Sequence, residues 1–205
     1  MRPSLRRVSV AVAIAVGLLA TRAEAHTMVS PDSPFAGGLK HFLFSIEDIL
    51  IAIAAGIFAA EHGGKFAVRG VAVLAAAWLA GGLGGLAIGS LPAAADRAAA
   101  GTLLIVGLLA AWDRRFGPGV VMAVVAVAGG VHGLLNGVGM QAPGFRAGVF
   151  QLLGIGSAVA FVSFYPTVLL ELVQKPWARV VARILGSWIA ATGLLMLGWA
   201  FRSAR

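Results

Sequence analysis

Two stretches of this sequence place ionisable or amide side chains inside runs of otherwise apolar residues. The first contains His41, Glu47 and Asp48, and the second contains His132 and Asn136. In a helix of about 3.6 residues per turn, His41 and Asp48 share one stripe, and His132 and Asn136 share another. Glu47 points away from the first stripe. A charge at the centre of a membrane helix is unfavourable by about 2.5–3.5 kcal/mol, so these groups are expected to face a bundle interior or a wet cavity.

Imidazole, carboxylate and amide groups together make a nitrogen and oxygen ligand set. Such a set suits a borderline divalent ion such as nickel, cobalt or zinc. If the two helices are neighbours, their polar stripes lie opposite each other. The sequence therefore predicts a metal site between them, with His41, Glu47, Asp48, His132 and Asn136 as the candidate residues. A second interpretation stays open, in which the side chains only hydrogen-bond between helices.

The elements that carry these side chains are long apolar segments. Hydrophobic residues make up 60% of the 205-residue chain and charged residues 12%, against roughly 25% charged residues in soluble domains. A spanning helix needs about 20 apolar residues. The pattern predicts an all-α, polytopic membrane helix bundle with about six transmembrane helices, over approximately 39–60, 68–91, 95–112, 118–140, 147–172 and 180–201.

The N-terminus has the three parts of a secretory signal peptide: basic residues at Arg2, Arg6 and Arg7, an apolar run over 8–20, and a small-residue cleavage motif over 23–25. We therefore predict a signal peptide over 1–25 and a single transmembrane domain over 26–205, with an uncleaved anchor helix as the alternative. Cleavage would make His26 the first mature residue, and a lone histidine near a terminus is a poor signal for metal binding.

Positive charge is distributed unevenly between the two sets of loops. With an outside start, the predicted cytoplasmic loops hold most of the cations, and the opposite loops hold Arg97 and Arg146. This bias is typical of a multi-pass protein of the bacterial inner membrane with a periplasmic mature N-terminus. Because the cations lie at segment ends and form no basic face, the net charge of +8 does not indicate a nucleic-acid partner. The expected partners are the lipid bilayer and a divalent metal ion.

Some kinds of chemistry are not expected from this sequence. It contains no cysteine, which excludes disulfides, thiolate metal ligands and iron–sulfur clusters. It shows no Walker P-loop, so ATP hydrolysis by this chain is not expected. We predict neither an enzyme nor a tightly bound cofactor, and any metal ion would be the transported substrate.

The two polar motifs resemble those of the HupE/UreJ family of hydrogenase and urease accessory membrane proteins. That family's first-span motif is His, five residues, then Asp-His, and His41 with Glu47-Asp48 occupies the same frame. Its fourth-span motif is His-Gly-x-x-His-Gly-x-Glu. The segment 132–139 keeps the first His and both glycines, with Asn136 and Gly139 at the second His and the Glu positions. The resemblance implies a cleaved signal, about six spans and a role in nickel supply, with metalloenzyme-maturation partners possible.

The departures from the family motifs shift the expected ligand set towards oxygen. Two imidazoles still suit nickel or cobalt, while added oxygen favours harder ions such as manganese or magnesium. The leading hypothesis is a divalent cation permease, carrier-like or channel-like, with proton coupling through Glu47 or Asp48 as a conjecture. Two alternatives remain: a non-transporting accessory protein on the same scaffold, and a membrane protein that binds haem through His41 and His132.

Overall fold

The computed structural model describes residues 33–92, 94–112, 114–140 and 142–202. The predicted signal peptide and His26 lie outside these residues. The described residues form seven α-helices, which we number in chain order: α1 (Pro34–Phe44), α2 (Ile46–Glu61), α3 (Gly64–Ile88), α4 (Ala94–Ala111), α5 (Pro118–Gly139), α6 (Phe145–Leu172) and α7 (Pro176–Arg202).

The helices are those of a polytopic membrane bundle. Helices α3 to α7 are each long and apolar enough to cross a bilayer, and α1 with α2 pass the same test only as a bent pair, which gives five spans or up to six. Large apolar side chains such as Leu195, Trp188 and Phe161 are mostly exposed on the outside. Exposed apolar surface on this scale is what lipid contact requires. The predicted fold class is confirmed.

The first predicted span is broken at Ser45. Helix α1 ends there, α2 begins one residue later, and the two axes differ by 80°. Ser45 has extended backbone angles, and its hydroxyl accepts a hydrogen bond from the Asp48 N–H, as an N-cap residue does. The prediction of one continuous helix with His41 and Asp48 on a single stripe was therefore wrong. The local cap ends the helical periodicity that the stripe depended on.

Helices α3 and α5 run parallel and meet backbone to backbone. Gly129, Gly133 and Gly137 are spaced one turn apart on α5 and face the carbonyl groups of Leu74, Trp78 and Gly82 on α3, respectively. A Cβ atom at any of the three glycines would overlap the opposing carbonyl oxygen. The absence of side chains at these glycines thus permits the close approach of the two helices.

A second close contact joins α4 to α7, which run antiparallel. A Cβ atom on Gly107 would meet the backbone of Ala190, and one on Gly193 would meet the backbone of Leu104. The two close pairs, α3 with α5 and α4 with α7, flank α2, whose small side chains are almost entirely buried between them. Helix α2 is thus the central element of the bundle.

The bundle has two chemically different ends. At one end α2, α4 and α6 begin and α3, α5 and α7 finish; we call this the cavity end, because a polar cavity described below lies there. At the other end lie the short connections after α2, α4 and α6. We call this the basic end, since it carries Lys65, Arg69, Arg114, Arg115, Lys175, Arg179 and Arg183.

Candidate functional site

Asp48 is held at the start of the central helix. It lies in the first turn of α2, where the Ser45 hydroxyl accepts its backbone N–H at 3.4 Å, and only 3% of the residue is exposed. The unpaired N–H groups of a helix N-terminus favour a negative charge. The helix break therefore places a buried carboxylate where the backbone of α2 can stabilise it.

Two residues of α5 bind this carboxylate. Oδ1 of Asp48 lies 3.2 Å from Nδ1 of His132, and Oδ2 accepts a hydrogen bond from Nδ2 of Asn136 at 3.0 Å. His132 and Asn136 are one helical turn apart and both are buried, so they reach the two oxygens of one carboxylate from the same face of α5. The predicted juxtaposition of Asp48 with His132 and Asn136 is confirmed.

Two further residues complete this polar cluster from α3 and α4. The indole Nε1 of Trp78 donates to Oδ1 of Asn136 at 3.4 Å, and the Trp78 ring packs against the imidazole of His132 with centroids 5.5 Å apart. Oγ1 of Thr102 lies 3.1 Å from Nε2 of His132. Every side-chain nitrogen and oxygen of His132 and Asn136 thus has a partner on another helix.

The positions of the hydrogens in this cluster follow from Thr102. Its single hydroxyl hydrogen is donated to the Ala99 carbonyl at 2.8 Å, so the hydroxyl accepts a hydrogen bond from Nε2–H of His132. With Nε2 of His132 directed at Thr102, Nδ1 is the nitrogen that faces the Asp48 carboxylate.

A cavity of about 490 Å³ connects this cluster to the cavity end of the bundle. Asp48, His132 and Asn136 line it on the inside, and Glu47 and the exposed Asp96 line it further out. The remaining lining residues are Ser45 and residues of α4, α5 and α7. Three carboxylates thus face one cavity, and it leads from the surface to a buried imidazole. Such a passage attracts cations and disfavours anions.

His41 does not join this cluster. Its side chain is exposed and lines a separate cavity of about 260 Å³ with Gln151 and the end of α5. The 80° bend at Ser45 turns α1 away from α2 and takes His41 with it. Among the described residues, no three His, Asp or Glu side chains are grouped closely enough to hold one metal ion. Metal binding by the five predicted residues stays a prediction.

His62 is a buried residue that connects two parts of the basic end. It follows α2 at the basic end, where solvent exposure is the expected state, yet only 8% of it is exposed. Its Nε2 accepts the backbone N–H of Phe116 at 3.0 Å, so Nδ1 carries the hydrogen and donates to the Phe58 carbonyl at 2.7 Å. His62 therefore fastens the α4–α5 connection to the end of α2.

Three residues of the polar cluster and the cavity were not among the candidates from the sequence: Trp78, Thr102 and Asp96. Trp78 and Thr102 each carry one polar group within an apolar helix. Which residues they bond depends on how α3 and α4 pack against α5. Asp96 lies near the start of α4 and lines the cavity. The sequence could have indicated Asp96. It is an acidic residue beside a predicted span, at the same end of the bundle as Asp48.

The chain matches the family model described as HupE / UreJ protein over residues 14–196. It is 28% identical over 185 residues to Protein HupE of Rhizobium leguminosarum bv. viciae, and the alignment covers 85% of this chain and 90% of that protein. No solved structure matches the chain. Since the family model spans most of the sequence, including the α2 and α5 motifs around Asp48 and His132, this chain belongs to the HupE/UreJ family.

Proposed function

We propose that this protein is a divalent metal cation permease of the bacterial inner membrane, with nickel or cobalt as the leading substrates. The observation that carries the proposal is the cavity lined by Glu47, Asp48 and Asp96, which ends at the buried His132 and Asn136. A passage of this kind gathers cations and then offers a nitrogen ligand. The family membership supports the same class of function.

The expected metal ligands lie at two depths in the cavity, an outer level near the surface and an inner level at the polar cluster. Asp96 and Glu47, nearer the surface, attract the hydrated ion by charge. Asp48, His132 and Asn136 then supply carboxylate, imidazole and amide donors at the inner level. A single imidazole among oxygen donors suits nickel and cobalt and also admits manganese, whereas a magnesium ion would gain little from His132. We therefore expect transition metals to compete with one another and magnesium to compete weakly.

Cation binding at the inner level competes with the contact between Asp48 and His132. Nδ1 of His132 lies 3.2 Å from Oδ1 of Asp48, and a metal ion bound to both groups would take the place of this contact. We include exchange of a proton for the divalent ion in the proposal, as a step to be tested. The positive-inside bias directs the basic end to the cytoplasm, so the cavity faces the periplasm and import is the expected direction.

Uptake into liposomes containing the purified, full-length protein tests the proposal. A trapped metal-sensitive dye reports entry of nickel, cobalt, manganese or magnesium, and a trapped pH dye reports proton movement. We expect nickel and cobalt uptake above that of protein-free liposomes, and at least tenfold slower uptake by Asp48→Asn, which keeps the shape of the side chain and removes its charge. Thr192→Val, an exposed polar change on α7, is the control for general damage.

The same assay resolves the role of His41. Uptake that survives His41→Gln and is lost in His132→Gln matches the grouping of residues around the cavity. Uptake lost in both variants returns His41 to the ligand set. Equal uptake by wild type, Asp48→Asn and protein-free liposomes contradicts the permease proposal.

A second candidate is a non-transporting accessory protein. The observation that favours it is the mutual bonding of Asp48, His132 and Asn136, whose polar atoms already satisfy one another and hold α2 to α5. In that case the cluster is purely structural, and Asp48→Asn changes stability without any transport to lose. The haem alternative has no such support, because His41 lies in another cavity and both nitrogens of His132 are bonded to protein side chains.

A further inference from the structure

Another cavity lies at the basic end, between the α4–α5 connection and the start of α7. Its volume is about 240 Å³, and it is separate from the passage at the cavity end. Four arginines from two different elements converge on it: Arg114, Arg115, Arg179 and Arg183. Their convergence distinguishes this cavity from the scattered cations that orient a membrane protein.

Among the residues that the structure describes, this cavity is lined by more positive than negative charge. Four guanidinium groups and the one carboxylate of Glu61 line it. Guanidinium groups bind phosphate through paired N–H donors and are less tightly hydrated than ammonium groups. A phosphate group would therefore be held by several guanidinium groups at once.

Two of the arginines are fixed by contacts within the protein. The guanidinium carbon of Arg114 lies 5.5 Å from the ring centroid of Trp112, and Nε of Arg183 donates to the Ala111 carbonyl at 3.1 Å. Contacts at the end of α4 thus hold one wall of the cavity in place before any ligand binds.

An apolar stripe runs from the same cavity towards the middle of the bundle. Trp112 lines the cavity, and Leu108 and Ile105 follow it at helical spacing along the outside of α4. The three side chains are 54%, 53% and 55% exposed, respectively. In a membrane protein this surface is covered by lipid, so an acyl chain lying on the stripe has its headgroup level with the arginines.

We propose that this cavity is a binding site for the phosphate headgroup of an anionic phospholipid, with the acyl chains along Trp112, Leu108 and Ile105. Basic pockets between helix ends are suited to this chemistry, and anionic lipid at the membrane surface favours it further. The bound lipid links the α4–α5 connection to α7. The site is independent of the proposed transport, since it shares no residue with the passage at the cavity end.

Native mass spectrometry of the intact protein in mild detergent tests this site. Phosphatidylglycerol and phosphatidylcholine with identical acyl chains are added at equal concentration, and the lipid-bound fraction is measured. We expect wild type to retain phosphatidylglycerol at least fivefold better than phosphatidylcholine. The variant Arg115→Gln/Arg179→Gln should lose this preference, while leaving the Arg114 stack and the Arg183 hydrogen bond in place.

The matched control is Arg146→Gln/Arg202→Gln, which removes two exposed arginines from the cavity end and should keep the preference. Arg115→Lys/Arg179→Lys keeps the charge and should retain most of the binding, which separates loss of the ligand from misfolding. An equal loss in both glutamine pairs, or no loss in either, overturns the proposal. Displacement of the lipid by an equal concentration of inorganic phosphate or poly-glutamate also overturns it, in favour of a soluble anion or an acidic protein.

Discussion

The carboxylate of Asp48 and the side-chain amide of Asn136 are joined by a 3.0 Å hydrogen bond, although 88 positions separate them along the chain. The bond connects the first turn of α2 to the last turns of α5, deep enough that both residues are buried. Any widening of the cavity between these helices must lengthen it. The contact therefore ties α2 to α5 beside the cavity.

Loss of the carboxylate should destabilise the bundle more than loss of its charge. Asp48→Ala leaves Nδ1 of His132 and Nδ2 of Asn136 without their partner, and removal of one partner from a buried ionic pair is unfavourable by about 3–5 kcal/mol. Asp48→Asn retains an acceptor and should have a smaller effect. Thermal unfolding of both variants in detergent checks this order; equal midpoints would show that the cluster contributes little to stability.

Thr102 should determine which nitrogen of His132 carries hydrogen. Thr102→Val keeps the shape of the side chain but removes the acceptor for Nε2–H, which leaves a buried donor unpaired at about 1–3 kcal/mol. The ¹⁵N chemical shifts of the His132 imidazole should change accordingly. Thr192→Val is the control, because its hydroxyl bonds only within its own helix. Unchanged imidazole shifts in Thr102→Val would contradict the hydrogen positions argued above.

Gly133 and Gly130 make a matched pair for the contact between α3 and α5. A Cβ at Gly133 overlaps the backbone of Trp78, whereas the position at Gly130 has nothing within 4 Å. Gly133→Ala should lower stability by about 1–3 kcal/mol through overpacking. Gly130→Ala should be neutral or stabilising, since alanine is the better helix former. Similar unfolding midpoints for the two variants would mean that the helices separate easily.

His62 should stabilise the connection between α4 and α5. In His62→Ala, the Phe116 N–H and the Phe58 carbonyl lose their partners, which is expected to reduce stability by about 1–3 kcal/mol. Limited proteolysis should then cut the segment near Phe116 faster than in wild type. His41→Ala is the comparison, because His41 is exposed and belongs to another part of the bundle. Equal cleavage rates in the two variants would contradict the prediction that His62 stabilises this connection.

The spans could be predicted because membrane insertion depends on local hydropathy. The predicted segment 118–140 and the observed α5, Pro118–Gly139, nearly coincide, and Pro118 marks the start as proline does at a first helical turn. The inner cluster could also be anticipated. His132 and Asn136 share a helical face, and polar groups in apolar helices must find one another.

The break in the first span was harder to predict, because two signals conflict at the same residues. Apolar continuity over 39–60 favours one helix, while Ser45 followed three residues later by Asp48 is typical of a helix N-terminus. The cap prevailed and moved His41 out of the expected site. The partnership of Thr102 with His132 depends on packing between α4 and α5, which helical periodicity within either segment does not specify.

The two sides of α5 have separate tasks. Gly129, Gly133 and Gly137 fix the helix against α3, while His132 and Asn136 look towards α2 and the cavity. The two tasks meet at Trp78 of α3, whose backbone faces Gly133 and whose indole donates to Asn136. A replacement at position 136 would thus change both the group that faces the cavity and the bond to Trp78, while the three glycines still allow α5 to lie against α3.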